Sequence, residues 1–382
     1  MTIDLKNFEL DTLPRHGISR RNFGRIAAYL AAGAALPFSA EQALAQLSSV
    51  PGGVPSDAVK IDANENPMGP CPEAIQAAMR MVQRGGRYNY QESDVFVQTL
   101  AKSEGVGENY VRAYPGSSLP LHHAVIAFTS PEKPLVVADP GYEAAGGAAR
   151  MSGAKVIRVP LTADYAHDVK MMVKASPNTG CFYVCNPNNP TGTLTSREDL
   201  AWLMQNKPQG SILLLDEAYI HIAGEQPCTD WVAQDKDIVI LRTFSKIYGM
   251  AGLRAGATIA RPDLLEKMSG YNTGALPTTA MAAATASLNA PNLVPQRRKI
   301  ITDTRTDCLA FLKANKFDYV PSVSNKFMVD VRRPANEIVQ ALRKENVYIG
   351  RVWPIWPTFC RVTVGTPEEM EVFKKAFLKV TA

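Results

Sequence analysis

The sequence lacks the cysteine and histidine spacings that hold metal ions in proteins. Its six cysteines include no CxxC pair and its five histidines include no HExxH, so we expect no metal site. Cys181 and Cys185 lie four residues apart in a predicted strand, which separates them by about 13 Å at the usual rise of a strand. That separation is too long for a disulfide, and we predict buried free thiols.

Charge of one sign is also scarce. The net charge of +5 is small for 382 residues, and acidic and basic residues are mixed along the chain. A protein that binds nucleic acid presents a basic stripe, so we expect no nucleic-acid partner and favour chemistry on small molecules. With 46% hydrophobic and 20% charged residues, and no internal repeat, the composition also excludes a disordered chain or a coiled coil.

No apolar run is long enough for a stable transmembrane helix. The Ala-rich stretch at 26–36 is too short, and it follows the paired Arg20 and Arg21 and precedes Ala-Leu-Ala at 43–45. This order resembles a twin-arginine signal peptide over residues 1–45, which predicts export to the periplasm and a mature chain that begins near Gln46. The alternative is an amphipathic helix that packs on the core of a cytoplasmic protein.

Short apolar runs alternate with longer helical patterns through the middle of the chain. Strands that are apolar on both faces and separated by helices, such as 197–206, are typical of a mostly parallel sheet covered on both sides. We therefore predict an α/β fold whose large domain has three layers, αβα. The six predicted strands are 135–138, 156–159, 182–185, 212–215, 238–241 and 255–260.

The pattern changes near residue 290. An amphipathic helix, a strand and a second helix, predicted at 297–314, 327–331 and 335–345, indicate a smaller C-terminal α/β domain. We predict an N-terminal arm at 46–82, a large domain at 83–285 and a small domain at 286–382.

Polar residues follow several of the predicted strands. In open α/β sheets, ligands bind outside the carboxyl ends of the strands, so these residues predict one shared site. Lys246 follows one strand; it is either an exposed lysine or a desolvated amine, and a desolvated amine has a lowered pKa and forms Schiff bases. Asp216 follows four apolar residues and, if buried, needs a cation such as a protonated pyridine nitrogen.

Five motifs together resemble a known family of enzymes, although each alone is weak. In chain order they read "IDANENPMGP", "CNPNNPTG", "DEAY", "TFSKIYGMAGLRAG" and "RVTVGT". The sequence resembles fold-type I pyridoxal-phosphate enzymes of aminotransferase class I/II, and most of all the histidinol-phosphate aminotransferase family, from about Lys60 to about Pro367. This resemblance implies a homodimeric aminotransferase that uses pyridoxal 5'-phosphate.

The resemblance also implies roles for individual residues around the cofactor ring. Lys246 would form the Schiff base and carry the proton, and Asp216 would pair with the pyridine nitrogen and keep it protonated. Asn189 and Tyr219 would hydrogen-bond the phenolic oxygen, and Tyr142 would stack on the ring.

The same resemblance implies a cradle for the cofactor phosphate. Gly116, Ser117 and Ser118 stand just before a predicted helix, whose free N–H groups favour an anion, and Ser245 and Arg254 would complete the cradle. Taken alone, "PGSS" is equally well an ordinary helix cap.

Further residues are implied on the substrate side and at a subunit interface. Arg361 would clamp the substrate α-carboxylate and Arg351 would face the far end of the substrate, although an exposed salt bridge is the alternative for Arg351. Asn64 and Glu65 would lie on the substrate side. Tyr88 would reach the phosphate of the neighbouring subunit, which requires a dimer.

The sequence departs from the family pattern beside Arg351. Trp353 and Trp356 follow it, where two indoles would form an apolar or cation-binding wall or simply pack. We therefore predict transfer of an amino group between an amino acid, or an amino-alcohol phosphate, and a 2-oxo acid such as 2-oxoglutarate. The alternatives are a decarboxylase of a phosphorylated amino acid and a non-catalytic protein that binds the cofactor.

Overall fold

The computed structural model describes residues 54–271 and 274–382. The predicted signal peptide at 1–45 and the predicted mature terminus at Gln46 lie outside these residues. Within the described part of the chain, no helix is both long enough and apolar enough to span a bilayer.

A seven-stranded sheet forms the centre of the fold. Its strands, in spatial order, are β2 (Val111–Tyr114), β8 (Gly256–Ala260), β7 (Ile238–Thr243), β6 (Ile212–Asp216), β5 (Cys181–Cys185), β3 (Leu135–Asp139) and β4 (Val156–Pro160). Five neighbouring strands are parallel, and only β8 runs against its neighbours β7 and β2. The structure confirms the mostly parallel sheet and all six predicted strands. It adds β2, whose four residues include Arg112.

The central strands β5, β6, β7 and β8 are buried along their whole length. Both faces of these strands lie in the core, which explains why their sequences are apolar without the alternation of a half-exposed strand.

The helices of the amino-terminal and central parts are α1 (Pro72–Gln83), α2 (Gln91–Glu104), α3 (Ser118–Phe128), α4 (Ala144–Met151), α5 (Val169–Lys174), α6 (Arg197–Asn206), α7 (Ile220–Ala223), α8 (Thr229–Ala233), α9 (Pro262–Ser269) and α10 (Thr278–Leu288); Glu108–Tyr110 is a 3₁₀ turn.

The C-terminal part has a small antiparallel sheet in the order β12-β10-β9. Its elements are α11 (Leu293–Ala314), β9 (Asp318–Val320), β10 (Lys326–Asp330), α12 (Ala335–Lys344), β11 (Val347–Ile349), β12 (Phe359–Thr363) and α13 (Pro367–Thr381). Helix α13 begins with a capping box, in which Thr366 and Glu369 bond each other's backbone N–H groups.

The N-terminal arm joins this C-terminal part. Strand β1 (Val59–Ile61) pairs in parallel with β11. Three residues beyond β1, Asn64 has a positive φ of 52° and its backbone N–H donates to Thr363 Oγ1 on β12, over 2.9 Å. The arm therefore passes directly over the end of the small sheet, and the domain boundaries that we drew from the sequence stay predictions.

Candidate active site

The carboxyl ends of four parallel strands supply polar groups. Tyr142 lies three residues beyond β3, Asn189 four beyond β5, and Lys246 three beyond β7, while Asp216 is the last residue of β6. Because these strands are parallel, their carboxyl ends meet at one edge of the sheet.

Asp216 is a buried carboxylate with two hydrogen-bond donors. The phenol of Tyr183 donates to Oδ2 over 2.9 Å, and the backbone N–H of Ala218 donates to Oδ1 over 3.2 Å. Burial, followed by the negative charge of Asp216, raises the pKa of Tyr183 well above its ordinary value. The phenol therefore keeps its proton and acts only as a donor to the acid.

Lys246 and Tyr219 follow different strands and approach each other. Lys246 is half-buried, and its Nζ lies 5.8 Å from the centroid of the Tyr219 ring. Tyr219 is buried, and burial is the main reason that its pKa is raised well above the usual value. Its hydroxyl is therefore protonated at neutral pH and can donate a hydrogen bond.

A buried polar network joins the arm, the large sheet and the small sheet. The Asn64 amide donates to Tyr219 Oη over 3.1 Å and to Asn189 Oδ1 over 3.3 Å. Arg361 Nη1 donates to the same Asn189 oxygen over 3.0 Å, and Arg361 Nη2 donates to the carbonyl of Asp62. The structure thus brings Asn64, Asn189, Tyr219 and Arg361 into one cluster.

Arg361 retains donor capacity within this cluster. Its Nε is buried and has no hydrogen-bond partner among the described residues. Burial is the main reason that the pKa of Arg361 is lowered to about 10, which still leaves the guanidinium charged at neutral pH. A buried cation with an unpaired donor is suited to an anionic ligand.

The turn before α3 forms a cradle with the segment after β7. Gly116 has a φ of 92°, and a Cβ at this position would overlap the Arg254 guanidinium. Arg254 Nη1 lies 3.4 Å from the hydroxyl of Ser245. Ser117 precedes α3 without capping it through its side chain, and Ser118 is the first residue of that helix. The five residues predicted to hold a phosphate therefore lie at two adjoining turns.

Arg351 is held by a residue that we did not predict. It forms an ion pair with Glu143, and its guanidinium carbon lies 4.5 Å from the centroid of the Trp353 ring. Trp353 is buried, and its indole N–H donates to the carbonyl of Gly141 over 3.2 Å. Arg361 approaches the same ring, with its guanidinium carbon 5.5 Å from the centroid.

Comparison with known proteins shows the family of this chain. Residues 56–377 match the family model described as aminotransferase class I and II. The chain belongs to the class I and II aminotransferase family. It is a pyridoxal-phosphate-dependent aminotransferase that is similar to histidinol-phosphate aminotransferases, with the fold-type I architecture.

Three relatives illustrate the similarity. A histidinol-phosphate aminotransferase of Moorella thermoacetica is 31% identical over 337 residues, which cover 85% of this chain and 86% of the relative. An aromatic amino acid aminotransferase of Nocardia farcinica is 32% identical, over 86% of this chain and 94% of the relative. The crystal structure of histidinol-phosphate aminotransferase from Sinorhizobium meliloti in complex with pyridoxal-5'-phosphate is 25% identical, with a TM-score of 0.81, and covers 91% of this chain and 96% of that structure.

The site of this aminotransferase fits its cofactor. A buried carboxylate at Asp216 suits the pyridine nitrogen, and the amine of Lys246 follows the neighbouring strand. The cradle that a Cβ at Gly116 would fill suits a phosphate, because it combines a helix amino terminus with a guanidinium.

Two residues of the aminotransferase that were predicted at the site lie apart from this cluster. Tyr88 is 69% exposed and stacks on Tyr90, with ring centroids 5.4 Å apart. Glu65 has an exposed side chain, and its backbone carbonyl accepts a hydrogen bond from Asn325 over 3.2 Å.

Several residues of the site were missed from the sequence, among them Tyr183, Glu143 and Lys326. A tyrosine within an otherwise apolar strand is a signal that could have marked Tyr183. The cysteines behave as predicted: all six are buried free thiols. Within the described residues, no group of three or more acidic, histidine or cysteine side chains is placed to hold a metal ion.

Proposed function

We propose that this enzyme transfers an amino group between an amino acid and a 2-oxo acid, with Lys246 as the residue that carries the proton. The observation that supports this proposal is the pairing of β6 and β7, which places Asp216 and Lys246 at the carboxyl ends of adjacent strands. Pyridoxal phosphate, when bound, supplies an electron sink next to the substrate Cα.

The residues of this chain hold that electron sink in place. Asp216 would keep the pyridine nitrogen protonated, because its own ionised form is favoured by the donors Tyr183 and Ala218. Tyr219 and Asn189 would bind the phenolic oxygen, and Tyr142 would stack on the ring.

We assign the phosphate to the five residues of the cradle and the substrate to the arginines. Gly116, Ser117, Ser118, Ser245 and Arg254 combine backbone N–H groups, hydroxyls and a guanidinium, which are the donors that a phosphate requires.

Arg361 would take the substrate α-carboxylate, since it is a buried cation whose Nε has no partner within residues 54–271 and 274–382. Arg351 would face the far end of the substrate, and Asn64 and the exposed Glu65 would lie on the substrate side.

Replacement of Lys246 by Ala tests the central assignment. We expect the variant to lose the visible absorbance of the lysine-bound cofactor and to lose amino transfer. Lys207→Ala is the matched control, because the side chain of Lys207 is also buried but contacts Ser211 and Asp237, which directly precede β6 and β7 at the opposite end of these strands from the site. Retention of both absorbance and turnover by the Lys246 variant would refute the assignment. Release of carbon dioxide without amino transfer would favour the decarboxylase.

The identity of the amino donor is a separate question. Among the relatives, several are named for histidinol phosphate and two for aromatic amino acids. We favour amino acids with an apolar or aromatic side chain, since the Trp353 ring lies close to both guanidinium groups and Glu143 neutralises Arg351. Spectral titration of the cofactor-loaded enzyme with a panel of amino acids, and with histidinol phosphate, tests this preference.

We propose that the enzyme works as a homodimer. An apolar surface on α1, α2 and the turn between them is exposed, and it contains the predicted intersubunit residue Tyr88. The exposed residues of this surface are Ile75, Met79, Val82, Tyr88, Tyr90 and Val95. Light scattering should give the mass of a dimer, and Tyr88→Phe should weaken cofactor affinity although Tyr88 lies apart from the site of its own chain.

We also propose export by the twin-arginine pathway, on the basis of Arg20 and Arg21 and the apolar stretch after them. Sequencing of the mature amino terminus should give a start near Gln46. A double replacement of the two arginines by lysine should retain the precursor in the cytoplasm, and an unprocessed terminus in the wild-type protein would contradict the proposal.

A further inference from the structure

Lys326 is a buried amine that the reaction described above does not use. It is the first residue of β10, its side chain is fully buried, and its Nζ lies 3.1 Å from the centroid of the Tyr219 ring. The one hydrogen-bond partner of this Nζ in the described structure is the hydroxyl of Ser324, at 2.8 Å. Among the described residues, no carboxylate forms an ion pair with it. A lysine buried without a counter-ion is costly unless a ligand supplies the charge.

The register of the small sheet turns Lys326 toward the substrate cluster. On β10 and β12, Lys326 is opposite Thr363 and Met328 is opposite Arg361, so these four side chains share one face of the sheet. Thr363 on that face bonds Asn64, and Arg361 bonds Asn189. Lys326 therefore belongs to the same face as the residue to which we assign the substrate carboxylate.

We propose that Lys326 is a second basic residue of the substrate site, which takes up a proton when a carboxylate binds against Arg361 and then shares its negative charge. This inference rests on the proposed role of Arg361. The proton comes from the solvent or buffer acid, so the amine gains one N–H bond, the acid loses its bond to that hydrogen, and no other covalent bond changes.

The charges around Lys326 support an amine that is neutral before a carboxylate binds. Burial lowers the pKa of Lys326 well below its ordinary value, and the cations Arg361 and Lys246 lower it further. Asp216 opposes this effect, while the buried Cys185 thiol stays protonated because its own pKa is raised. A bound carboxylate would add a second negative charge and favour the protonated amine.

Calorimetry on the cofactor-loaded enzyme tests the proposal without turnover. The probes are two unreactive carboxylates, maleate and 3-phenylpropionate, each titrated near neutral pH in two buffers with different enthalpies of ionisation. The difference in binding enthalpy between the two buffers gives the number of protons taken up on binding. We expect proton uptake by the wild-type enzyme with the tighter probe. We expect Lys326→Met to bind that probe about tenfold or more weakly, without proton uptake.

Two further variants separate charge from structure. Lys326→Arg carries a permanent charge, so it should bind the probe without proton uptake. Lys326→Met should keep or raise the thermal stability of the protein, because it removes a buried amine without a counter-ion, whereas a merely structural lysine would destabilise the protein when lost. The control Lys207→Met replaces a lysine outside the site, so it should match the wild type in affinity and proton uptake.

Several results would overturn the inference. Wild-type affinity and proton uptake in Lys326→Met would do so, as would an equal loss of cofactor affinity, which would place the amine on the cofactor instead. Failure of both probes to bind the wild type would also overturn it, because a site with two basic residues must hold a carboxylate. The variant Arg361→Met separates the two proposals. If Arg361→Met binds the probe normally, the proposed role of Arg361 is wrong. If Arg361→Met loses binding while Lys326→Met keeps it, only the proposed role of Lys326 is wrong.

Discussion

The phenol of Tyr183 on β5 donates a 2.9 Å hydrogen bond to Oδ2 of Asp216 at the end of the neighbouring strand β6. This bond favours the ionised carboxylate, the form that pairs with a protonated pyridine nitrogen. The register explains the contact, since Cys185 rather than Tyr183 is directly opposite Asp216 and the tyrosine reaches along the strand to the acid.

We expect Tyr183→Phe to lower kcat by about tenfold or more, because a hydrogen bond to a charged group contributes about 1.5–3 kcal/mol. Steady-state kinetics and cofactor titration measure the effect. Tyr348→Phe is the control, as Tyr348 is a buried tyrosine on β11. Equal kinetics for the Tyr183 variant and the wild type would show that Asp216 does not depend on this donor.

Gly116→Ala should weaken the binding of pyridoxal phosphate. The added Cβ would overlap the Arg254 guanidinium, and the φ of 92° is unfavourable for alanine. Gly105→Ala isolates the backbone effect, because Gly105 has a φ of 70° with nothing within 4 Å of the added Cβ. Equilibrium dialysis should show reduced cofactor affinity only for the Gly116 variant, and thermal melts should show a loss on the order of 1 kcal/mol for both.

Glu143→Gln should make the enzyme more active on dicarboxylic substrates. The substitution removes the negative charge that pairs with Arg351, so a distal substrate carboxylate would no longer compete with Glu143 for the Arg351 guanidinium. We expect kcat/KM for a dicarboxylic amino acid to rise about tenfold relative to that for an aromatic one. Glu132→Gln, which removes an exposed carboxylate that bonds Ser130, should leave the ratio unchanged. A falling ratio in the Glu143 variant would mean that Glu143 orients Arg351 for the acid.

Asp62 should make the protein less stable as the pH rises. Burial, the largest cause, raises its pKa to about 6 from the ordinary 3.8, so the folded protein binds the proton more tightly than the unfolded chain. The stabilisation is complete below about pH 4 and is lost as the pH rises through about 6, by an amount on the order of 3 kcal/mol.

Asp62→Asn should remove that dependence. The difference in free energy of unfolding between the variant and the wild type should grow in favour of the variant between about pH 4 and pH 7. Urea unfolding at several pH values measures it. A difference that does not change with pH would show that the carboxyl titrates alike in both states.

Much of the fold follows from local patterns. The six predicted strands and the helix at 197–206 need only short apolar runs and helix propensity, which neighbouring residues supply. Strand β2 and the reversed direction of β8 were not predicted, since strand direction depends on connections and pairing that no short window contains.

The residues of the site also fall into those that the sequence could identify and those that it could not. Lys246, Asp216, Asn189 and Arg361 could be named from motifs, because each motif is a continuous run that ends a strand or forms one. Glu143 and Lys326 could not, because their importance arises from partners at Arg351 and Tyr219 that are far away in the chain.

The sequence by itself determined the fold class, the family and the residues of each motif, since all of these depend on local order along the chain. Only the tertiary structure decided which groups face one another. It formed the hydrogen bond between Tyr183 and Asp216 and the ion pair between Arg351 and Glu143, and it buried Lys326 without an acidic partner in the described structure. The reason is physical, because burial and electrostatic interaction depend on distances through space, which only the packed chain fixes.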